Sequence, residues 1–132
     1  MIGIDTNIVV RLLLRDDEVF FRKALSLMQR TTEDDPLIVN AIVIAESLWV
    51  LERRAKVERS AARAALGGFL DSDQIRVSDA NPLRAWADTL AHPHRDYSDV
   101  IIAQINREIG CRFTYTLDEQ ASKRVPGMEL LT

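Results

Sequence analysis

The chain has 132 residues, 47% hydrophobic and 28% charged, the size and balance expected of a single globular domain spanning residues 1–132. A formal charge of −3 argues against a generic, sequence-blind nucleic-acid binder, because such binding relies on neutralising phosphates with Lys and Arg. The only cysteine, Cys111, excludes an internal disulfide or a multi-thiolate metal centre; the early carboxylate Asp5 breaks any signal-peptide core, and no segment reaches the ~18 apolar residues of a membrane span, so a soluble cytoplasmic protein with no membrane association is expected.

In chain order, Ile2 to Ile4 reads as a short buried strand, and Asp5-Thr6-Asn7 offers three good N-cap residues before the helical run Ile8, Val9, Leu12, Leu13. Asp16 is expected to open a second helix, with Val19, Phe20, Ala24, Leu27 and Met28 at helical spacing, ended by the polar stretch 31–36. Leu37 to Val39 is the next strand. A third helix begins at Asn40 or Ala41 and is expected to continue to about Lys56, and a fourth runs from Ser60 as N-cap to Leu70, weakened near its end by Gly67-Gly68.

Ile75 to Val77 is a third strand, and a helix is expected from Pro82 to Leu90 before the loop Ala91-His92-Pro93-His94-Arg95. Ser98 to Ile109 is helical and stops at Gly110; Arg112 to Thr116 and Met128 to Leu131 supply the last strands. Short strands alternating with longer helices describe an α/β domain, a parallel β-sheet flanked by helices, because parallel strands need crossover connections. In such sheets ligands collect beyond the carboxyl ends of the strands, near the point where strand order reverses. Asp5 follows the first strand and Asp118 the fourth.

Four acids, Asp5, Glu46, Asp99 and Asp118, lie at predicted strand ends or on apolar helix stripes, where a carboxylate is costly unless paired or bound to a cation. Glu46 has Ile42, Val43, Trp49 and Val50 as its neighbours three and four residues away, so it points with the apolar stripe; snorkelling or pairing with Arg53 is the ordinary alternative. Asp96 and Asp99 share a face three residues apart and repel unless compensated, although both also suit a helix N-terminus. Asp99 shares its stripe with Ile102, Ala103 and Asn106. Asp5 and Asp118 could each simply cap the helix that follows.

Hard oxygen ligands without His or Cys point to Mg²⁺ or Mn²⁺, and Mg²⁺ is commonly shared between protein carboxylates and substrate phosphates. Such a cluster suggests phosphodiester or phosphate-ester chemistry. His92 and His94 flank a proline with no nucleophile marked for them and read as surface residues; neither a glycine-rich phosphate loop nor a Walker lysine is present. Basic residues are bunched at Arg11 and Arg15, Arg22 and Lys23, Arg53 to Arg63, and Lys123 and Arg124; Arg11, Arg15 and Arg53, nearest the acids, are candidates for contacting a polyanionic substrate.

Met1-Ile2-Gly3-Ile4-Asp5-Thr6-Asn7 with Arg11, the Glu46 helix with Leu48-Trp49-Val50-Leu51, the run Asp96 to Ala103, and Thr116-Leu117-Asp118 with Pro126-Gly127 resemble the PIN-domain ribonucleases, and more narrowly the VapC toxins of bacterial toxin–antitoxin pairs. The resemblance spans essentially the whole chain. It implies a PIN-like α/β/α sandwich, an acidic site for Mg²⁺ or Mn²⁺, and endonucleolytic cleavage of RNA. It places the family's four acids on Asp5, Glu46, Asp99 and Asp118, with Asp96 an accessory and Thr6, Asn7 and Thr116 at polar positions lining the site. It further implies a homodimer and a cognate small antitoxin protein whose C-terminal segment covers the active site.

Three other readings compete. A haloacid dehalogenase-like phosphatase also places an aspartate after its first strand, but its second aspartate would fall at Asn7; a phosphoryl-aspartate receiver would need a lysine after a late strand, absent near Thr116. A non-catalytic binding protein stabilised by metal would carry the acids without cleaving anything.

Overall fold

The computed structural model describes residues 1–78 and 97–132. The expected helix at Pro82 to Leu90, the loop with His92 and His94, and Asp96 lie outside the described residues. The predicted strands form as β1 (Ile2–Ile4), β2 (Leu37–Val39), β3 (Ile75–Val77), β4 (Thr114–Thr116) and β5 (Met128–Leu130). All pair in parallel in the order β3-β2-β1-β4-β5. Among the described residues six α-helices accompany them: α1 (Thr6–Leu14), α2 (Glu18–Arg30), α3 (Ala41–Trp49), α4 (Arg59–Leu70), α5 (Tyr97–Glu108) and α6 (Glu119–Arg124).

Local chemistry sets where the helices begin. Asp5, Asp17, Asn40, Glu58 and Asp118 each turn a side-chain oxygen onto amides of the first turn that follows, covering donors the helix itself leaves free. Two expectations shift by a residue or two: Asp17 rather than Asp16 opens α2, and Glu58 rather than Ser60 caps α4. Asp16 is instead engaged by Arg11, and the Glu58 carboxylate reaches two amides where the shorter Ser60 side chain reaches none. The third helix does not run unbroken to Lys56: α-helical geometry ends at Trp49, and a π-helical turn follows over Val50–Arg54.

The apolar faces close over the sheet, with Ile4, Ile8, Val9, Leu37, Val39, Val43 and Ile102 completely buried. Each such aliphatic side chain contributes about 1.5–3 kcal/mol through burial. A polar strut crosses this core. Asn40 accepts from the amides of Ile42 and Val43 and donates to the Asn106 side-chain oxygen at 3.0 Å and the Ile102 carbonyl at 3.3 Å; Asn106 in turn donates to the Thr114 hydroxyl at 2.9 Å. The strut needs a bare backbone at Gly3, where a Cβ would stand 2.1 Å from Asn106 Nδ2 and 2.9 Å from Thr114 Oγ1. It thereby fixes the start of α3 and the length of α5 against β1 and β4, the elements that carry the acids.

Strand order reverses at β1: β2 and β3 continue to one side, β4 and β5 to the other. The crevice beyond the carboxyl ends of β1 and β4 is therefore the ligand position this topology offers.

Candidate functional site

Asp5 is the first residue past β1 and is 1% exposed. Its extended backbone, φ −94° and ψ 177°, lets Oδ1 accept the Ile8 amide at 3.1 Å as the cap of α1. The capping role expected as an alternative is thus real, but it occupies one oxygen only. Oδ2 is buried and has no hydrogen-bond partner among the described residues. Burial pushes the Asp5 carboxyl from 3.8 up to about 7, against the lowering effect of the Thr116 hydroxyl and the Ile8 amide, and the charge of Asp99 pushes the same way as burial. Thr116 lies near enough to lower the value, yet no hydrogen bond of ordinary geometry reaches Oδ2.

The other acids arrive from three elements. Glu46 is half-buried on α3, and its Oε2 accepts the Thr6 hydroxyl at 2.6 Å, so the helix acid is tied to the residue next to Asp5. Asp99 is half-buried in the first turn of α5. Asp118, exposed beyond β4, caps α6 by accepting from the amides of Gln120 at 2.8 Å and Ala121 at 3.0 Å, while its own amide donates to Thr116 Oγ1 at 3.0 Å. Thr116, fully buried, is therefore the link between Asp5 and the Asp118 backbone.

Among the described residues no three Asp, Glu, His or Cys side chains converge closely enough to enclose a metal ion. The acids instead form a chain of neighbours: Asp5 with Asp99 through their charges, Asp5 with Glu46 through Thr6, and Asp5 with Asp118 through Thr116. An orphaned, buried carboxylate oxygen facing a like charge is the arrangement that a hard cation relieves, and the donor set is all oxygen. The residues therefore fit such an ion with Asp5 and Asp99 at its centre.

Two shallow clefts open here and meet at Asn7 and Arg11. One, of about 210 Å³, reaches Phe20, Leu117 and Asp118; the other, of about 270 Å³, runs past Thr6 to Val50 and Arg54. Of the basic residues expected at the rim, Arg11 donates from Nη1 to both carboxylate oxygens of Asp16, at 2.9 and 2.8 Å, and its guanidinium lies 5.6 Å from the centre of the Phe20 ring. Arg15 ends α1 in left-handed conformation, φ 51°, with its guanidinium 4.2 Å from the Phe21 ring, and Arg53 is exposed. The expected alternative of a Glu46–Arg53 pair is not formed, since Glu46 Oε2 holds Thr6 instead.

Sequence reasoning passed over the Asn40–Asn106–Thr114 strut and the role of Arg54 on the cleft wall. Asn106 carried a signal, its place on the Asp99 stripe, but its partner Asn40 is 66 residues away. Among the described residues no helix is long and apolar enough to cross a membrane.

Comparison with known proteins agrees with this architecture. The profile of the PIN domain family matches residues 2–127. No curated protein matches the chain. Among solved structures, VapBC2 from Rickettsia felis, bound to a DNA fragment from their promoter, is similar with a TM-score of 0.67 at 17% identity, covering 100% of both chains. VapC20 from Mycobacterium tuberculosis, described as a sarcin-ricin loop cleaving toxin, is similar with a TM-score of 0.70 at 23% identity, covering 93% of this chain and 94% of the other.

Proposed function

The chain belongs to the PIN domain family, and we propose that it is a metal-dependent endoribonuclease, the toxin of a toxin–antitoxin pair, hydrolysing RNA phosphodiester bonds at the crevice beyond β1 and β4. The observation that carries this reading is the orphaned Oδ2 of Asp5, buried at the point of strand reversal with the charge of Asp99 beside it. A structural cap needs one oxygen; the second is retained against a raised carboxyl pKa, which is the signature of a charge awaiting a partner.

Asp5 and Asp99 would hold the ion, Mg²⁺ or Mn²⁺, with Glu46 and Asp118 completing the negative charge around it. When bound, such an ion acidifies water and neutralises charge building on the phosphate. The chain's own groups do the positioning. Thr6 donates to Glu46 and fixes how its carboxylate faces the crevice. Thr116 holds the Asp118 backbone and lies against Asp5, and in this scheme Thr116 or Asn7, the latter lining both clefts, orients a water or a phosphate oxygen. Asp96 is an accessory acid in this scheme. Arg11, preset by Asp16, lines both clefts and with Arg15 and Arg53 supplies the basic rim that a net-acidic enzyme needs to hold a polyanion.

Attack by water needs no 2′-hydroxyl; in this scheme the P–O3′ bond breaks and the 3′-oxygen leaves with a proton, so the products carry 5′-phosphate and 3′-hydroxyl ends. The toxin reading rests on the resemblance to VapC proteins and on the fold shared with VapBC2 and VapC20; it brings with it a homodimer and a cognate antitoxin covering the crevice. Purified protein incubated with RNA should cleave with Mg²⁺ or Mn²⁺ and stop with a chelator or with Glu46→Gln. Binding of the ion without any cleavage would leave a metal-stabilised binding protein.

A further inference from the structure

The π-helical turn after α3 builds an arginine–tryptophan pair beside the crevice. In an α-helix, residues five apart point about 140° away from each other, which would send Arg54 off the face of Trp49. The wider turn, closed by the Ala55 amide on the Val50 carbonyl at 2.9 Å, makes such residues neighbours instead. Arg54 consequently lies over Trp49 with its guanidinium 5.2 Å from the ring centroid. Trp49 is nevertheless 52% exposed, an unusual position for so large an aromatic side chain.

Three further facts give the pair a direction. Trp49 is one helical turn beyond Glu46 on α3, so the ring and the acid share a side of that helix. Arg54 also lines the cleft that holds Thr6 and Asn7, the two residues that follow Asp5 in the chain, and Asn7 lines the neighbouring cleft with Asp118 as well. The surrounding segment, residues 52–63, carries Arg53, Arg54, Lys56, Arg59 and Arg63 against only Glu52 and Glu58, a local excess of three positive charges on a chain of net charge −3. Of these, Arg59 is near Glu52 at 3.8 Å, while Arg53 and Lys56 are exposed. A flat, half-open aromatic face inside a positive patch, backed by an arginine on the wall of the cleft that holds Thr6 and Asn7, matches a polyanion that also carries flat rings.

We propose that Trp49 and Arg54 form a stacking subsite for a nucleobase of single-stranded RNA, holding the strand a short distance along from the phosphate at Asp5. A base stacks on the open part of the indole, Arg54 backs the ring and meets the adjoining phosphate, and the strand follows the cleft past Asn7 toward the acids. This assignment rests on the RNA-cleaving reading above, but it concerns binding and can be tested apart from cleavage.

The test uses the full chain with Trp86→Phe, which leaves Trp49 as the sole tryptophan, and Asp5→Asn, which keeps the probe intact. Titration with a short oligoadenylate should quench Trp49 emission in a saturable way, and inorganic polyphosphate should not. In the same background Trp49→Ala should weaken oligoadenylate binding, followed by anisotropy of a labelled strand, roughly 5- to 150-fold. Trp49→Phe, retaining a flat ring, should stay near the parent, and Arg54→Ala should lower the salt dependence by about 0.7 in slope. Unchanged binding in Trp49→Ala, together with RNA cleavage by the unsubstituted protein, overturns the subsite and leaves the nuclease reading standing. Quenching by oligoadenylate in a protein that cleaves no RNA keeps the subsite and removes the nuclease. Equal quenching by polyphosphate shows charge alone at work and overturns it, as does a change in sedimentation without a change in RNA binding, which would make this face a contact between copies or with a protein partner.

Discussion

Replacing Asp5 by Asn should stabilise the metal-free protein at neutral and alkaline pH, although Asp5 caps a helix. Its carboxyl is raised from 3.8 to about 7, chiefly by burial. At about 1.4 kcal/mol per tenfold change in proton affinity, an ionised Asp5 costs the folded chain about 4 kcal/mol above pH 7. Asn keeps the oxygen that accepts from Ile8 and removes the charge, but places an amide nitrogen where Oδ2 has no partner, at a cost of ~1–3 kcal/mol. The net gain expected at pH 8 is therefore about 1–3 kcal/mol.

The pH dependence separates this from a general packing effect. Because the folded state binds the Asp5 proton more tightly than the unfolded chain, the Asp5 contribution to wild-type stability is greatest below about pH 4 and is lost as pH rises toward 7. The difference between Asp5→Asn and wild type, measured by urea unfolding in chelator, should thus be negative or near zero at pH 4 and rise through pH 7. Added Mg²⁺ or Mn²⁺ should then recover stability in wild type and little in the variant, by ~2.7 kcal/mol at a hundredfold excess over Kd. A difference that is flat with pH, or a variant less stable than wild type at pH 8, would refute the idea that Asp5 is an uncompensated buried charge.

Other consequences are simpler to check. Gly3→Ala places a carbon 2.1 Å from Asn106 Nδ2 and should displace the polar strut, lowering stability by ~1–3 kcal/mol and cleavage with it; urea midpoints and rate assays read both. At Asp118 the two roles can be divided: Asp118→Asn keeps an oxygen for Gln120 and Ala121 and should retain stability while losing activity, whereas Asp118→Ala should lose activity and about 1 kcal/mol of stability. Cys111 is buried and its thiol is pushed up to about 11 by that burial, so the native protein should react with a thiol reagent at pH 8 far more slowly than the urea-unfolded chain; equal rates would contradict the packing around it.

Much of the architecture could be read from residue order because it depends on local rules. Strands were marked by short branched runs, helix starts by Asp5, Asn40 and Asp118, and the crevice by two acids following strands that proved to be neighbours in the sheet; at α2 and α4 the caps are Asp17 and Glu58 rather than the expected Asp16 and Ser60. What escaped was non-local or geometric. The Glu46 partner, Thr6, is 40 residues away, and the Asn40–Asn106 bond spans 66. The break in helical geometry at Val50 leaves no periodic trace, because Trp49-Val50-Leu51 continues the apolar run while the hydrogen bonds change from four residues to five. Asp118 shows the limit of reading chemistry from residue type: the same carboxylate caps α6 and faces the cleft shared with Asn7 and Arg11, so the two readings are not exclusive.

The central claim, that Asp5 and Asp99 at the strand reversal carry phosphodiester hydrolysis, is tested most directly by mapping the RNA ends produced by the purified protein with Mn²⁺ or Mg²⁺, beside an Asp99→Asn variant of equal stability. The account predicts discrete new 5′-phosphate ends with wild type and none with the variant; the same ends at the same rate from Asp99→Asn, or 5′-hydroxyl ends from wild type, would contradict it.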